Sequence, residues 1–267
     1  YYDVTNFFFE TDEPDEDVEN DDGTVIKGTR KNGVCKEERK LPIVQMGLFM
    51  DENGIPISIE IFPGNTLDHL TVDTALSKNI DDVVDSRYIF IADRGICNYI
   101  TICHLIDRNK AYIMSKSIKK STQQEKDWIL EENGYIKKSD TFKYKSRIIR
   151  KKVKDSEGNT RTITEKVVVY WSKKFYEREI HENQSFIEFL RKLKETPANF
   201  RFAATQIKNK KKYFKKELVN VENGEAIDST KLHALIDENA EDEFCKYFGY
   251  YQIVTSELEV EDIEIID

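Results

Sequence analysis

A chain of 267 residues, 39% hydrophobic and 34% charged, is long enough for one large core or for a core with an inserted domain. No apolar run reaches the roughly 20 residues that span a bilayer, and the opening YYDVTNFFFE lacks the zones of a secretory leader, so neither a membrane segment nor export is expected. The net charge of −9 is unevenly spread: residues 116–216 hold 28 Lys and Arg against 13 Asp and Glu, a balance of +15 that leaves −24 on the remainder.

Taken in chain order, residues 1–9 are rich in Tyr, Phe, Val and Thr and predict a strand buried on both faces, in which Asp3 is a misfit. The acidic stretch that follows, 11–40, has little to bury and reads as a solvated loop. LPIVQMGLFM and IPISIEIF form two β-rich runs joined through Asn53-Gly54, a hairpin. After Pro63-Gly64-Asn65, residues 68–80 carry helical spacing, with Asp68 placed to cap. SRYIFIAD is an apolar strand ending in Asp93; an amphipathic stretch, 99–108, and a short strand, 111–114, complete a βαβ unit with parallel strands. From residue 116 the character changes. KYKSRIIRKKVK and TRTITEKVVVYWS flank the turn DSEGN as a basic β-hairpin, 174–195 reads as a helix ended by Pro197, and a polar helix is expected over 229–238. GYYQIVTS is a strand, and VEDIEIID the first turns of a helix.

Asp is disfavoured inside strands, and an unpartnered buried carboxylate is expensive. Asp3 in the first strand and Asp93 at the C-terminal end of an apolar strand therefore stand out, because functional groups collect at the carboxyl ends of strands in open α/β sheets. Paired carboxylates suit a hard divalent cation; the bland alternative is that Asp93-Arg94-Gly95 is a turn with an internal salt bridge. Asn65 and Asp68 are explained by turn and cap roles, and the isolated His69 and His104 as surface or helix-packing residues. Four dispersed cysteines, Cys35, Cys97, Cys103 and Cys245, fit neither a zinc spacing nor a disulfide framework and point to reduced thiols in a cytoplasm.

The segments YYDVTNFFFE, GLFMDENGIPISIEIFPGN, TLDHLT and IFIADRG together resemble the DDE-type transposases of bacterial insertion sequences, over residues 1–116 and again over 249–267. The resemblance implies an α/β fold: a ribonuclease-H-like mixed sheet flanked by helices, as in retroviral integrases, interrupted by a basic β-rich insertion domain. It implies residues 1–115 as the first part of the catalytic core, 116–248 as the insertion, and 249–267 as the return to the core, truncated before a third acid. Asp3 and Asp93 take the first two acid positions. Glu257, Glu259, Glu261 and Glu264 precede the family's place for its glutamate and read as solvated or helix-N-terminal acids. The implied chemistry is phosphodiester hydrolysis followed by attack of the freed 3′-OH on target DNA, with Mg2+ (or Mn2+), two ions in the complete site, held by Asp3 and Asp93. The implied partners are double-stranded DNA and a second copy in a synaptic homodimer; the implied location is the bacterial cytoplasm, on the nucleoid.

In the basic segment, Lys143, Lys145, Arg147, Arg150, Lys151, Lys152, Lys210, Lys211 and Lys212 are the candidate phosphate contacts, with Tyr144, Tyr213 and Phe214 near enough in sequence to stack on bases; a lysine-rich solvated surface is the ordinary reading of either run alone. Two other functions stay open: a transposase derivative that holds DNA without cutting it, and another nuclease of the same fold.

Overall fold

The computed structural model, which describes residues 1–33, 41–76, 88–195 and 239–267, is a mixed α/β structure with one large sheet and helices. Its strands are β1 (Tyr2–Phe8), β2 (Val18–Glu19), β3 (Val25–Ile26), β4 (Ile43–Met50), β5 (Pro56–Pro63), β6 (Ile89–Ala92), β7 (Ala111–Lys116), β8 (Ile136–Ser139), β9 (Phe142–Lys154), β10 (Thr160–Ser172) and β11 (Tyr250–Thr255). The chain packs as two compact units, one of Tyr1–Ser121, Lys145–Val169 and Tyr251–Asp267, the other of Thr122–Tyr144 and Tyr170–Tyr250. Residues 145–169, most of the basic hairpin, thus group with the unit that carries Asp3 and Asp93, whereas the sequence places them inside the 116–248 insertion. Among the described residues no helix is long and apolar enough to cross a membrane.

In the first unit the strand order is β5-β4-β1-β6-β7-β11-β10-β9. β1 is antiparallel to β4 and parallel to β6, β6 is parallel to β7, and β11 runs antiparallel to β7. β1 is not buried on both faces as expected. It alternates, with Tyr2 and Val4 buried and Asp3 and Thr5 exposed, so Asp3 is no misfit: it stands on the wet face, where a carboxylate keeps its hydration. Under the other face the rings of Tyr2, Phe49 and Phe90 pack with centroids 4.4 to 6.2 Å apart. The β4–β5 hairpin closes on Glu52-Asn53-Gly54: Asp51 and Ile55 pair through Asp51 N–H to Ile55 O at 2.9 Å, and Gly54 alone takes positive φ, 78°. This is a three-residue loop with glycine in the left-handed position.

Helices α1 (Asp68–Ala75) and α2 (Tyr99–Asp107) follow β5 and β6. α2 starts where the Asn98 side chain accepts the Thr101 N–H, and it buries Thr101, Ile102, Cys103 and Leu105, the i, i+3, i+4 face of an amphipathic helix. The predicted βαβ unit is thereby present. Over residues 11–33 the acidic stretch is more than a solvated loop: β2 pairs with β3, and Arg30 and Lys31 form ion pairs with Asp15 and Asp17 at 2.5 and 2.6 Å.

The second unit begins with α3 (Gln123–Leu130), entered through a capping box between Thr122 and Glu125. The single helix expected over 174–195 is two, α4 (Lys173–Glu182) and α5 (Gln184–Glu195), separated at Asn183, whose side chain bonds back to the Glu179 carbonyl. α6 (Ala240–Cys245) packs on α5 through Phe186 and Phe244, centroids 4.8 Å apart, and an Arg191–Glu241 ion pair at 2.5 Å. The helix predicted over 229–238 lies outside the described residues. Back in the first unit, the chain ends in α7 (Asp262–Ile266), where Asp262 meets Lys166 of β10 at 2.8 Å.

Candidate active site

Tyr2 of β1 pairs with Ala92 of β6 in parallel register. Asp3 follows on β1 and Asp93 lies one residue past the end of β6, so each acid stands next to this single parallel pairing. Asp3 Oδ1 accepts the Val4 N–H at 2.9 Å, and Asp93 Oδ1 accepts the N–H groups of Gly95 and Ile96 at 2.8 and 3.3 Å. These bonds fix each carboxylate by one oxygen. Oδ2 of each accepts no hydrogen bond among the described residues, and Arg94 forms no ion pair with Asp93 there. Residues 93–97 do form a turn, as the bland reading holds, but without the internal Asp93–Arg94 salt bridge among the described residues.

Asp68 lies near Asp93, on the Tyr2 side of β1 and not the Asp3 side, although its position in the sequence suggests only a cap. It is the first residue of α1 rather than its cap, and no backbone N–H of the helix donates to its carboxylate among the described residues. Its only side-chain bond there is a long one, 3.4 Å, from Gln45 Nε2 to Oδ1. Its Oδ2 faces Gly95: a Cβ at Gly95 would lie 3.7 Å from Asp68 Oδ2 and 3.2 Å from Asp93 Oδ1. Glycine at 95 therefore keeps open a space lined by two carboxylates. Below it the Tyr2 hydroxyl donates to Thr71 Oγ1 at 2.7 Å, and Thr71 donates to the Asp68 carbonyl at 2.6 Å. Burial pushes the Tyr2 phenol up to about 12, and the nearby carboxylates of Asp68, Glu60 and Asp3 add to it. Asn65 has its expected role in the Pro63–Thr66 turn, closed by Thr66 N–H to Pro63 O at 2.9 Å. Among the described residues no three His, Cys, Asp or Glu side chains already close on one point.

The candidate DNA contacts separate by burial. Lys145 is 3% exposed. Lys143 pairs with Glu132 at 2.5 Å and sits over the rings of Tyr135 and Tyr250 at 4.6 and 5.6 Å. Lys151 lies 4.9 Å over the Tyr99 ring, and the Tyr99 hydroxyl donates to buried Glu165 at 3.1 Å. Arg147 is half-buried. Arg150 and Lys152 are exposed, with Lys154 continuing the same i, i+2 face. On β10 the exposed residues alternate in the same way as Thr160, Thr162 and Thr164, and hairpin closure at Asp155 and Asn159 sets Thr160 opposite Lys154. Lys154 and these threonines extend the surface beyond the residues expected from sequence; the signal was the alternation of threonine in TRTIT. Lys210, Lys211 and Lys212, with Tyr213 and Phe214, lie outside the described residues. His104 on α2 contacts Ser156 at 3.1 Å, an ordinary packing role.

No protein-family model matches the chain, and no curated protein matches it.

Proposed function

We propose that this chain carries the greater part of the catalytic core of a DDE-type transposase on a ribonuclease-H-like sheet, cutting DNA strands and joining them to a target with Mg2+ or Mn2+. The observation that carries this reading is that Asp3 and Asp93 each follow directly on the Tyr2–Ala92 pairing of the parallel strands β1 and β6, each carboxylate fixed by one oxygen and open at the other among the described residues. The donor set is all oxygen and has no ion pair among the described residues, which fits a hard divalent cation, and the space kept by Gly95 gives it room. When bound, such ions supply charge neutralisation to an in-line phosphoryl displacement. The chain's own part is positioning. The backbone N–H groups of residues 4, 95 and 96 hold the carboxylates, and the ring cluster beneath Tyr2 keeps β1 and β6 in register. The exposed Arg150, Lys152 and Lys154, beside the threonine hydroxyls of β10, offer a surface of charge and donors for the DNA backbone. A synaptic homodimer and location on the nucleoid belong to the same proposal.

A second reading, a DNA-binding derivative that does not cut, is favoured by the exposed Arg150 and Lys152 of β9, which can neutralise phosphates without any metal. Incubation of supercoiled plasmid with the full chain separates the two. The first reading expects weak nicking, since two acids hold the ions less tightly than three, that appears with Mn2+, vanishes with EDTA, and is lost in Asp3→Asn and Asp93→Asn. Plasmid that binds and shifts without nicking, or nicking unchanged in both variants, contradicts it.

A further inference from the structure

We infer that Asp68 is a metal-holding carboxylate of this site, acting with Asp93 across the space that Gly95 leaves open; the inference rests on the metal-dependent reading above. A carboxylate at the start of a helix has an ordinary use, accepting the free N–H groups of the first turn. Asp68 has no such bond among the described residues, and its one bond, to Gln45, is at the long end of the range. Its Oδ2 is turned instead toward Gly95, where an added methyl group would touch both it and Asp93. Two carboxylates facing one gap repel unless a cation or proton lies between them.

A further observation is independent of the acids. Gln45 is 3% exposed, its amide reaches Asp68, and its Oε1 is buried with no hydrogen-bond partner. A buried orphan acceptor costs about 1–3 kcal/mol and calls for a missing donor. Water on a cation at Asp68 would supply one after a small rotation of the amide, whose nitrogen already reaches Asp68, because Mg2+ sites usually keep several of their waters. Gln45 lies in the middle of an otherwise apolar strand, where Leu or Val would bury without such a cost. The Tyr2–Thr71–Asp68 hydrogen bonds hold the start of α1 against β1, which fixes where the Asp68 carboxylate can point.

The test is Mn2+ binding to the full chain, read by the loss of the free-ion electron paramagnetic resonance signal, with thermal melting alongside. Asp68→Asn is nearly isosteric and keeps the Gln45 contact, and Gly95→Ala fills the gap without removing an acid. The expected result is a Kd weakened at least ten-fold in both variants, comparable to Asp93→Asn, with Asp68→Asn melting no lower than the wild type because a repulsion is relieved. Binding lost in Asp93→Asn but unchanged in Asp68→Asn and Gly95→Ala overturns the role of Asp68 and leaves the Asp3–Asp93 reading standing. A wild type that takes up no Mn2+ overturns both. If Asp68→Asn both weakens binding and lowers the melting temperature, recovery of binding in Asp68→Glu supports the inference, and its absence overturns it in favour of a structural role.

Discussion

Replacing Asp262 by Asn strands a buried cation. Lys166 on β10 is 8% exposed, and its ammonium is shared between Asp262 Oδ1 at 2.8 Å and the Val260 carbonyl at 2.6 Å. At 2.8 Å and an effective dielectric near 20 the gross attraction is about 6 kcal/mol, much of it offset by the desolvation of both groups. Breaking a buried pair typically costs about 3–5 kcal/mol, but Lys166 keeps its carbonyl partner and Asn keeps a dipole, so about 2–4 kcal/mol is expected. For a chain of this size that is a fall in melting temperature of roughly 4–15 °C. Urea unfolding and thermal melting followed by circular dichroism measure it. Removing both charges, as Lys166→Met with Asp262→Leu, should recover most of the loss, because the penalty lies in the unpaired charge. An Asp262→Asn variant within about 0.5 kcal/mol of the wild type, the range of a neutral surface change, would show that Lys166 is not stranded, as would a double variant no better than the single one.

Two further outcomes follow from burial. Arg150→Glu and Lys152→Glu should weaken duplex binding, each lowering the slope of log affinity against log salt by about 0.9 or more. Lys145→Met should leave that slope unchanged; mobility shifts over a salt series decide, and equal effects at all three positions would contradict the surface drawn on β9. Burial pushes the Cys97 thiol up to about 12, with Glu165 adding and Lys116 and Lys151 opposing, so at pH 8 only about one thiol in 10⁴ is thiolate. Its alkylation by iodoacetamide should be negligible in the folded chain and rapid in urea; comparable rates in both states would show the site to be open.

The parts of the fold that the sequence made legible are those governed by local pattern. The Asn53-Gly54 turn between β-rich runs and the 99–114 helix-strand pair have periodicities and caps of their own, and they formed where expected. Asp3 stands out in the sequence for a wrong reason: aromatic richness suggests two buried faces, but Phe7 is 50% exposed and the strand alternates. Burial on two faces depends on what covers the sheet, which a strand's own composition does not encode. The role of the basic hairpin is hidden for a similar reason. Its lysines look alike in sequence, yet Lys145 is buried and Lys152 exposed because the strand pleat sends them to opposite sides. Asp68 takes a cap role only if the helix starts one residue later than it does. Gln45, a lone amide in LPIVQMGLFM, was the available signal of a polar contact beneath the first strands, met by Asp68 at 3.4 Å, since a buried polar group there requires a partner.

Anomalous scattering from crystals of this chain soaked in Mn2+ would locate a divalent cation held jointly by Asp3 and Asp93. A peak is expected within about 2.0–2.4 Å of a carboxylate oxygen from each residue, the range of hard-cation oxygen ligands, with the two carboxyl groups no more than about 8 Å apart, as ions about 4 Å apart require. Carboxylates farther apart than that, or Mn2+ peaks that avoid both residues while occupying other sites, would contradict this joint site.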